Sequence, residues 1–344
     1  MKRLLSIVIF TTLVAPQIHA AALCSKWQNR GPVPLLSAKI LRESSGISSS
    51  IDFPNQRYYH INDSGSGSAF HVSFENGNPL QSSMVDGVNA DDMETIDVGH
   101  CPPDLKKATA EKEGCLFLGD IGNNNFNRQN LKFIVVAEKE NYKAQTAPKV
   151  VIDIDYSRDA TGARQHNAEA MMVDPNSGDV YVVTKRTRAD GEKGADDDLS
   201  PRVYVLKRSV YANVAIAAKN RAQTTLTYVR TIKIEDIFPE AKVATGKERK
   251  KFLVTDADFS PDGKTFVLIT LGGIVEFDSS ILSGNAPIKA EDFSRSAMDV
   301  ADVLEQQEAI TYTSDGTSLV YTSESKDKKA KGLVEARRLI CLKR

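Results

Sequence analysis

The feature that most constrains this chain is a short theme that returns five times: a strand start, a polar tight turn, and an apolar, β-rich run. The starts are Ser45-Gly46-Ile47, Glu94-Thr95-Ile96, Glu169-Ala170-Met171, Thr255-Asp256-Ala257 and Glu308-Ala309-Ile310. The last three copies carry the turns Asp174-Pro175-Asn176-Ser177-Gly178, Ser260-Pro261-Asp262-Gly263 and Thr313-Ser314-Asp315-Gly316. The runs Val180 to Val183, Phe266 to Ile269 and Leu319 to Tyr321 follow them. Strand, Gly-containing turn, strand is the signature of a β-hairpin. Phe53 to Gln56 is the turn of the first copy, and in the second the turn is stretched from His100 to Gly114. Start-to-start separations of 49, 75, 86 and 53 residues read as propeller blades with insertions. The expectation is an all-β chain forming a single β-propeller of five blades; the alternative is an open β-sandwich. Further strands are predicted at Phe133 to Ala137, Val203 to Leu206 and Ile274 to Phe277. Helices are predicted only in connections, at Val210 to Gln223 and Ala297 to Gln307.

The first twenty residues read as a secretory signal. Lys2 and Arg3 precede an apolar run from Leu4 to Val14, and Ile18-His19-Ala20 supplies a small-residue cleavage site. That run is about half of the ~20 residues needed to span a bilayer, so removal is expected rather than anchoring. Leu23 is a poor residue before a lipidated cysteine, which argues against lipidation at Cys24. The expected organisation is a signal peptide at 1–20 and one propeller domain at 21–344, periplasmic or secreted. The 44 basic and 45 acidic residues leave no basic excess of the kind nucleic acid or a membrane surface would select. No later apolar stretch reaches spanning length.

In an exported chain, four cysteines are read first as disulfides. Three pairings are possible. Cys101 with Cys115 is the local choice; it leaves Cys24 with Cys341, joining the chain ends. Five units require the last blade to be completed by the N-terminal segment, expected near Pro34 to Leu41, and that closure brings the same two ends together.

In a propeller, the strand starts and the turns leaving the second strands meet at one mouth of the channel. The starts supply Ser45, Glu94, Glu169, Thr255 and Glu308, an all-oxygen ring. Unpaired carboxylates this close repel one another, and a hard cation resolves the conflict; calcium, with six to eight oxygen ligands, is the expected ion. The competing reading has each Glu bonding a neighbouring blade. The second-strand turns supply Asn62, Asp63, Asp120, Asn123, Asn124, Lys185, Arg186, Thr270 and Glu324, with Arg128 close behind Asp120. Cations beside a filled carboxylate ring suit a phosphate or carboxylate ligand. Lys326, Lys328, Lys329 and Lys331 are read as a solvated turn instead. Asp258 to Gly263 imitates the start of an EF-hand, but Ile269 stands where the bidentate Glu is required, so it is read as a hairpin turn. Asp196 to Asp198 is read as a solvated loop. His60, His71, His100 and His166 form no metal-ligand spacing, and Ser64 to Ser68 forms no nucleophile elbow.

This arrangement resembles the calcium-activated nucleotidases, the secreted apyrases. That family's five-bladed propeller holds one central calcium, and its channel order Ser, Glu, Glu, Ser, Glu is matched by Ser45, Glu94, Glu169, Thr255 and Glu308. Val183 to Arg188, running on to Arg202-Val203-Tyr204, is similar to the family's Arg-containing segment, and Leu118 to Gly122 to its glycine-rich turn. Thr255 departs from a serine. The family's Asp-Gly-Asp-Gly stretch is only hinted at by Asp86-Gly87 and Asp91-Asp92, and its aromatic-rich base-holding insertion has no counterpart. The resemblance therefore implies the calcium ring more than nucleotide hydrolysis.

Two functions follow. One is a binding module with channel calcium, taking an anionic or phosphorylated small molecule, a protein or a glycan. The other is a calcium-dependent phosphohydrolase, with Asp63 or Asp120 as base, Arg186 and Arg128 stabilising the developing charge, and Lys185 beside them among the catalytic residues.

Overall fold

The computed structural model describes residues 23–34, 40–63, 67–101, 114–188, 198–216, 221–324 and 335–343. The expected signal segment, the Lys326 to Lys331 turn and Asp196-Asp197 lie outside them.

The chain opens with β1 (Lys26–Pro32). A first meander follows: β2 (Ser44–Ser49), β3 (Arg57–Asn62), β4 (Ala69–Phe74) and β5 (Pro79–Val85). A second comprises β6 (Thr95–His100), β7 (Gly114–Asp120), β8 (Lys132–Ala137) and β10 (Val150–Tyr156). Short β9 (Gln145–Thr146) departs from it to extend the first meander through β5. The third holds β11 (Gln165–Val173), β12 (Val180–Arg188), β13 (Arg202–Leu206), helix α1 (Arg208–Ile216) and β14 (Arg221–Thr231). Next come β15 (Val254–Phe259), β16 (Thr265–Thr270), β17 (Gly273–Asp278) and β18 (Phe293–Ser294). Last are β19 (Gln307–Tyr312), β20 (Ser318–Ser323) and β21 (Ala336–Lys343).

Consecutive strands pair antiparallel within each meander. The outer strands β10 and β14 also pair in parallel, fusing the second and third meanders into one eight-stranded sheet. That pairing leaves neither outer strand as an open edge. The first strands close a ring: β2 lies beside β6, β6 beside β11, β11 beside β15, β15 beside β19, and β19 beside β2. The architecture is therefore β-propeller-like. Inner packing is tight enough that a Cβ on Gly46 of β2 would lie 2.6 Å from the Ile96 nitrogen of β6.

The hydrophobic core lies between successive meanders. Phe117 and Val135 of the second pack with Met171 and Tyr204 of the third. Val183 and Val205 of the third pack with Phe266 and Phe277 of the next. Each side chain buried there loses water on a flat sheet face that cannot cover itself.

The N-terminal strand closes the last sheet, but from an earlier segment than expected. β1 pairs antiparallel with β21, setting Trp27 opposite Cys341, whereas the strand was expected near Pro34 to Leu41, of which residues 35–39 lie outside the described residues. The reason is local: Trp27 is buried while its neighbours Lys26 and Gln28 are exposed, and the bonded Cys24 fixes the strand's start. Both expected disulfides, Cys24–Cys341 and Cys101–Cys115, are present, which fits an oxidising compartment. Tying residues so distant in sequence would stabilise the fold by up to about 5 kcal/mol in the chain-entropy model.

Helix content differs from expectation. α1 begins earlier and ends sooner than Val210 to Gln223, because Arg221 already opens β14. Residues 297–306 form turns rather than a helix, capped where Gln307 enters β19. Asp258 to Gly263 is a hairpin turn, with the Asp262 carboxylate accepting from the Ser260 hydroxyl and the Lys264 amide. No helix among the described residues is long and apolar enough to cross a membrane.

Candidate functional site

At one mouth of the ring the chain gathers carboxylates that have little to bond with. Asp63 follows β3, and its carbonyl accepts from the Met93 amide at 3.2 Å. This contact brings the first meander's turn against the extended segment that leads into β6. In extended chain, residues two apart face the same side, so Asp92 and Glu94 project together. One carboxylate oxygen from each of Asp63, Asp92 and Glu94 lies within 4.8 Å of the others. Asp63 and Asp92 share a hydrogen bond. Glu94 is 2% exposed. Its Oε2 accepts from the Ser45 hydroxyl at 3.3 Å. Its Oε1 and the Asp63 Oδ1 are buried and meet no donor among the described residues.

The cluster is tightly framed. A Cβ on Gly122 would stand 2.3 Å from Glu94 Oε1 and 2.4 Å from Asp92 Oδ2, so only glycine leaves this space open. Asp120, wholly buried, accepts from the Asp92 amide at 2.9 Å, Arg128 at 2.6 Å and Lys132 at 2.7 Å. Arg128 also donates to the Gly122 carbonyl at 2.5 Å. Asp120, Arg128 and Lys132 thus form an ion-paired frame that holds the Asp91-Asp92 backbone and the Gly122 wall. Of the residues expected to do chemistry, Asp120 and Arg128 spend these contacts on positioning.

Beside the cluster stands a second group. Lys185 of β12 pairs with Glu169 of β11. Burial opposes its charge, but Glu169 and Glu308 outweigh burial and raise its pKa. Glu169 is raised by burial, against the pull of Lys185. Burial, Glu169 and Glu324 push Glu308 up to about 8, although Lys185 pulls the other way. Burial and then Asp92 push Asp63 up to about 7. Burial and then Glu169 drive Glu94 well above the carboxylate range. Burial and like charge thus act in the same sense on each of these carboxyls, disfavouring the charged form.

The structure therefore brings Ser45, Glu94, Glu169 and Glu308 to one mouth, together with Asp63 and Lys185. It turns the Thr255 hydroxyl elsewhere, to the Gln307 carbonyl at 3.0 Å. Arg186 donates to Asn124 at 2.8 Å on the rim. The Lys185 ammonium pairs with Glu169 and feels the charge of Glu308; Asp63, Asp92 and Glu94 each offer a carboxylate oxygen within 4.8 Å of the others. Three carboxylates and a nearby hydroxyl, all hard oxygen donors, fit calcium or magnesium chemistry. Sequence reasoning placed Asp63 and Glu94 among the site residues, whereas Asp92 entered only through the Asp91-Asp92 hint of the family's acidic stretch and Gly122 only as the end of the glycine-rich turn. The spacing Asp92-x-Glu94 before a strand was the available signal. His166 is a packing residue: it bonds the Thr187 and Tyr204 hydroxyls at 2.9 and 2.7 Å.

No family model matches the chain, and no curated protein matches it. Among solved structures it is similar to Kuenenia stuttgartiensis hydrazine synthase, with 10% identity and a TM-score of 0.40 over 82% of this chain and 68% of that one. It is also similar to U3-55K, with 10% identity and a TM-score of 0.37 over 87% of this chain and 68% of that one.

Proposed function

We propose that this is an exported, five-bladed β-propeller that binds a divalent cation, calcium by its donor chemistry, at one mouth of its channel and acts as a ligand-binding module. The five meanders, their ring of first strands and the disulfide joining the chain ends support the blade count. The observation that carries the cation is the pair of buried, donorless oxygens, Glu94 Oε1 and Asp63 Oδ1, aimed into a three-carboxylate cluster. A buried carboxylate oxygen without a donor is costly, and a hard cation supplies what it lacks. In this reading Asp63, Asp92 and Glu94 are ligands, Ser45 orients Glu94, and Lys185 neutralises Glu169 and Glu308.

The test is thermal melting of the exported chain in calcium, in magnesium and after chelation. A cation that binds only the folded form raises the melting temperature, by about 2.7 kcal/mol of stability at a hundredfold excess over Kd. The shift should vanish in Asp92→Asn and Glu94→Gln. A parent protein that melts identically in all three conditions would sink the proposal.

A second reading, calcium-dependent phosphohydrolysis, is favoured by one observation. The Asp63 carboxylate stands in the three-carboxylate cluster with one buried oxygen that meets no donor among the described residues, in reach of a water held there. Release of phosphate from phosphoesters that depends on both calcium and Asp63 would establish it; no release with calcium bound leaves the module as described.

A further inference from the structure

Above the channel mouth lies a cleft of about 870 Å³ that shares Lys185 and Glu308 with it. Its lining takes Lys185 and Arg186 from β12, and Lys242, Arg249 and Lys250 from the segment joining β14 to β15. The lining carboxylates are Glu235 and Glu308, against these five cations. The cleft is thus a cationic trough whose charge comes in two banks from separate segments of the chain. A single small anion would meet one bank. A ligand with anionic groups at both ends meets both, and guanidinium and ammonium groups favour phosphate oxygens in that role. None of the described lining residues is aromatic. The described lining therefore presents no flat apolar face on which a base or ring could stack.

We infer that this cleft binds a non-aromatic ligand carrying two or more phosphate groups, held between the β12 bank and the Lys242–Lys250 bank. The inference names the ligand of the module proposed above. It rests on the cation reading only for the innermost phosphate, which would complete the cation's shell from the Lys185 side.

Calorimetric titration of the full exported chain tests it, in calcium excess and in calcium-free buffer. Fructose 1,6-bisphosphate serves as the sugar-borne probe, inorganic tripolyphosphate as the chain-like one, and ATP as the aromatic comparator. Binding of the bisphosphate or of tripolyphosphate is expected, with ATP no tighter than tripolyphosphate. In the double variant Lys242→Glu, Lys250→Glu that affinity should fall at least tenfold, while the melting temperature and its calcium shift stay unchanged. The tighter of the two non-aromatic probes identifies the source of the phosphates. The inference is overturned if neither probe binds, if the double variant binds like the parent, or if ATP binds tenfold tighter than tripolyphosphate. Phosphate binding that persists without calcium, in a chain whose melting calcium does not move, would remove the cation reading and keep the cleft. A calcium shift without phosphate binding would do the reverse.

Discussion

The channel buries carboxylates at two levels, and the two sets are wired differently. Away from the mouth, Asp97, Asp256 and Asp258 each accept a backbone amide from a neighbouring meander: Val173 at 2.6 Å, Ile310 at 2.9 Å and Tyr312 at 2.7 Å. Hydroxyls of Ser48, Thr95 and Thr311 add further bonds. These groups staple one meander to the next, the Thr95–Asp256 bond reaching from the second to the fourth. At the mouth, Asp63, Asp92 and Glu94 face one another, and two of their oxygens find no donor. Both sets are raised in pKa, Asp97 to about 6 by its burial and Asp63 to about 7, although Asp63 and Asp92 are only half-buried where Glu94 is fully so. A perturbed carboxylate alone does not mark a site. What separates staple from site is whether the protein itself supplies the donors.

Four measurements can break or sharpen that contrast. Lys185→Met should have the largest effect, because it strands Glu169 and Glu308 without their ammonium. Breaking a buried ion pair costs about 3–5 kcal/mol, read as a fall in unfolding free energy at neutral pH. Asp258→Ala should cost about 2–3 kcal/mol by leaving the Tyr312 amide and Thr311 hydroxyl without an acceptor. That loss should be the same with and without calcium; a calcium-dependent loss would mean the inner level is no mere staple.

Glu94→Gln should act the opposite way. In calcium-free buffer it removes a donorless carboxylate and should raise stability by about 1 kcal/mol, while abolishing the calcium shift. Loss of stability on that change would place Glu94 with the staples.

The smallest effect expected is a pH slope. Folding raises Glu308 from 4.5 to about 8 and Asp63 from 3.8 to about 7. The folded state therefore binds more protons than the unfolded one between those values. Their contribution is complete below pH 4 and is lost as pH rises through 7 and 8. Calcium-free melting temperature should drift downward from pH 5 to 8, and calcium should flatten the drift. A calcium-free profile that rises over this window would contradict the mouth's wiring.

Much of the frame was legible along the chain. The Gly-containing turns dictated hairpins, the spacing of strand starts marked the repeating units, and four cysteines left few ways to pair. These signals are local or additive, so they survive reading in one dimension. The starts also marked Glu94, Glu169 and Glu308 as neighbours at one mouth. Which of them a cation would hold was not legible. What sets Glu94 apart from Glu169 is Asp63 folding back against residues 92–94, the space that Gly122 leaves, and Lys185 reaching Glu169. The closing strand was misplaced for a similar reason, since the pairing of β1 with β21 joins residues about as far apart in sequence as the chain allows. Sequence by itself determined the repeat, its turns and the residue types at the mouth. Only the tertiary structure decided which carboxylates received donors, because donors come from neighbouring meanders and their arrival depends on how the ring closes.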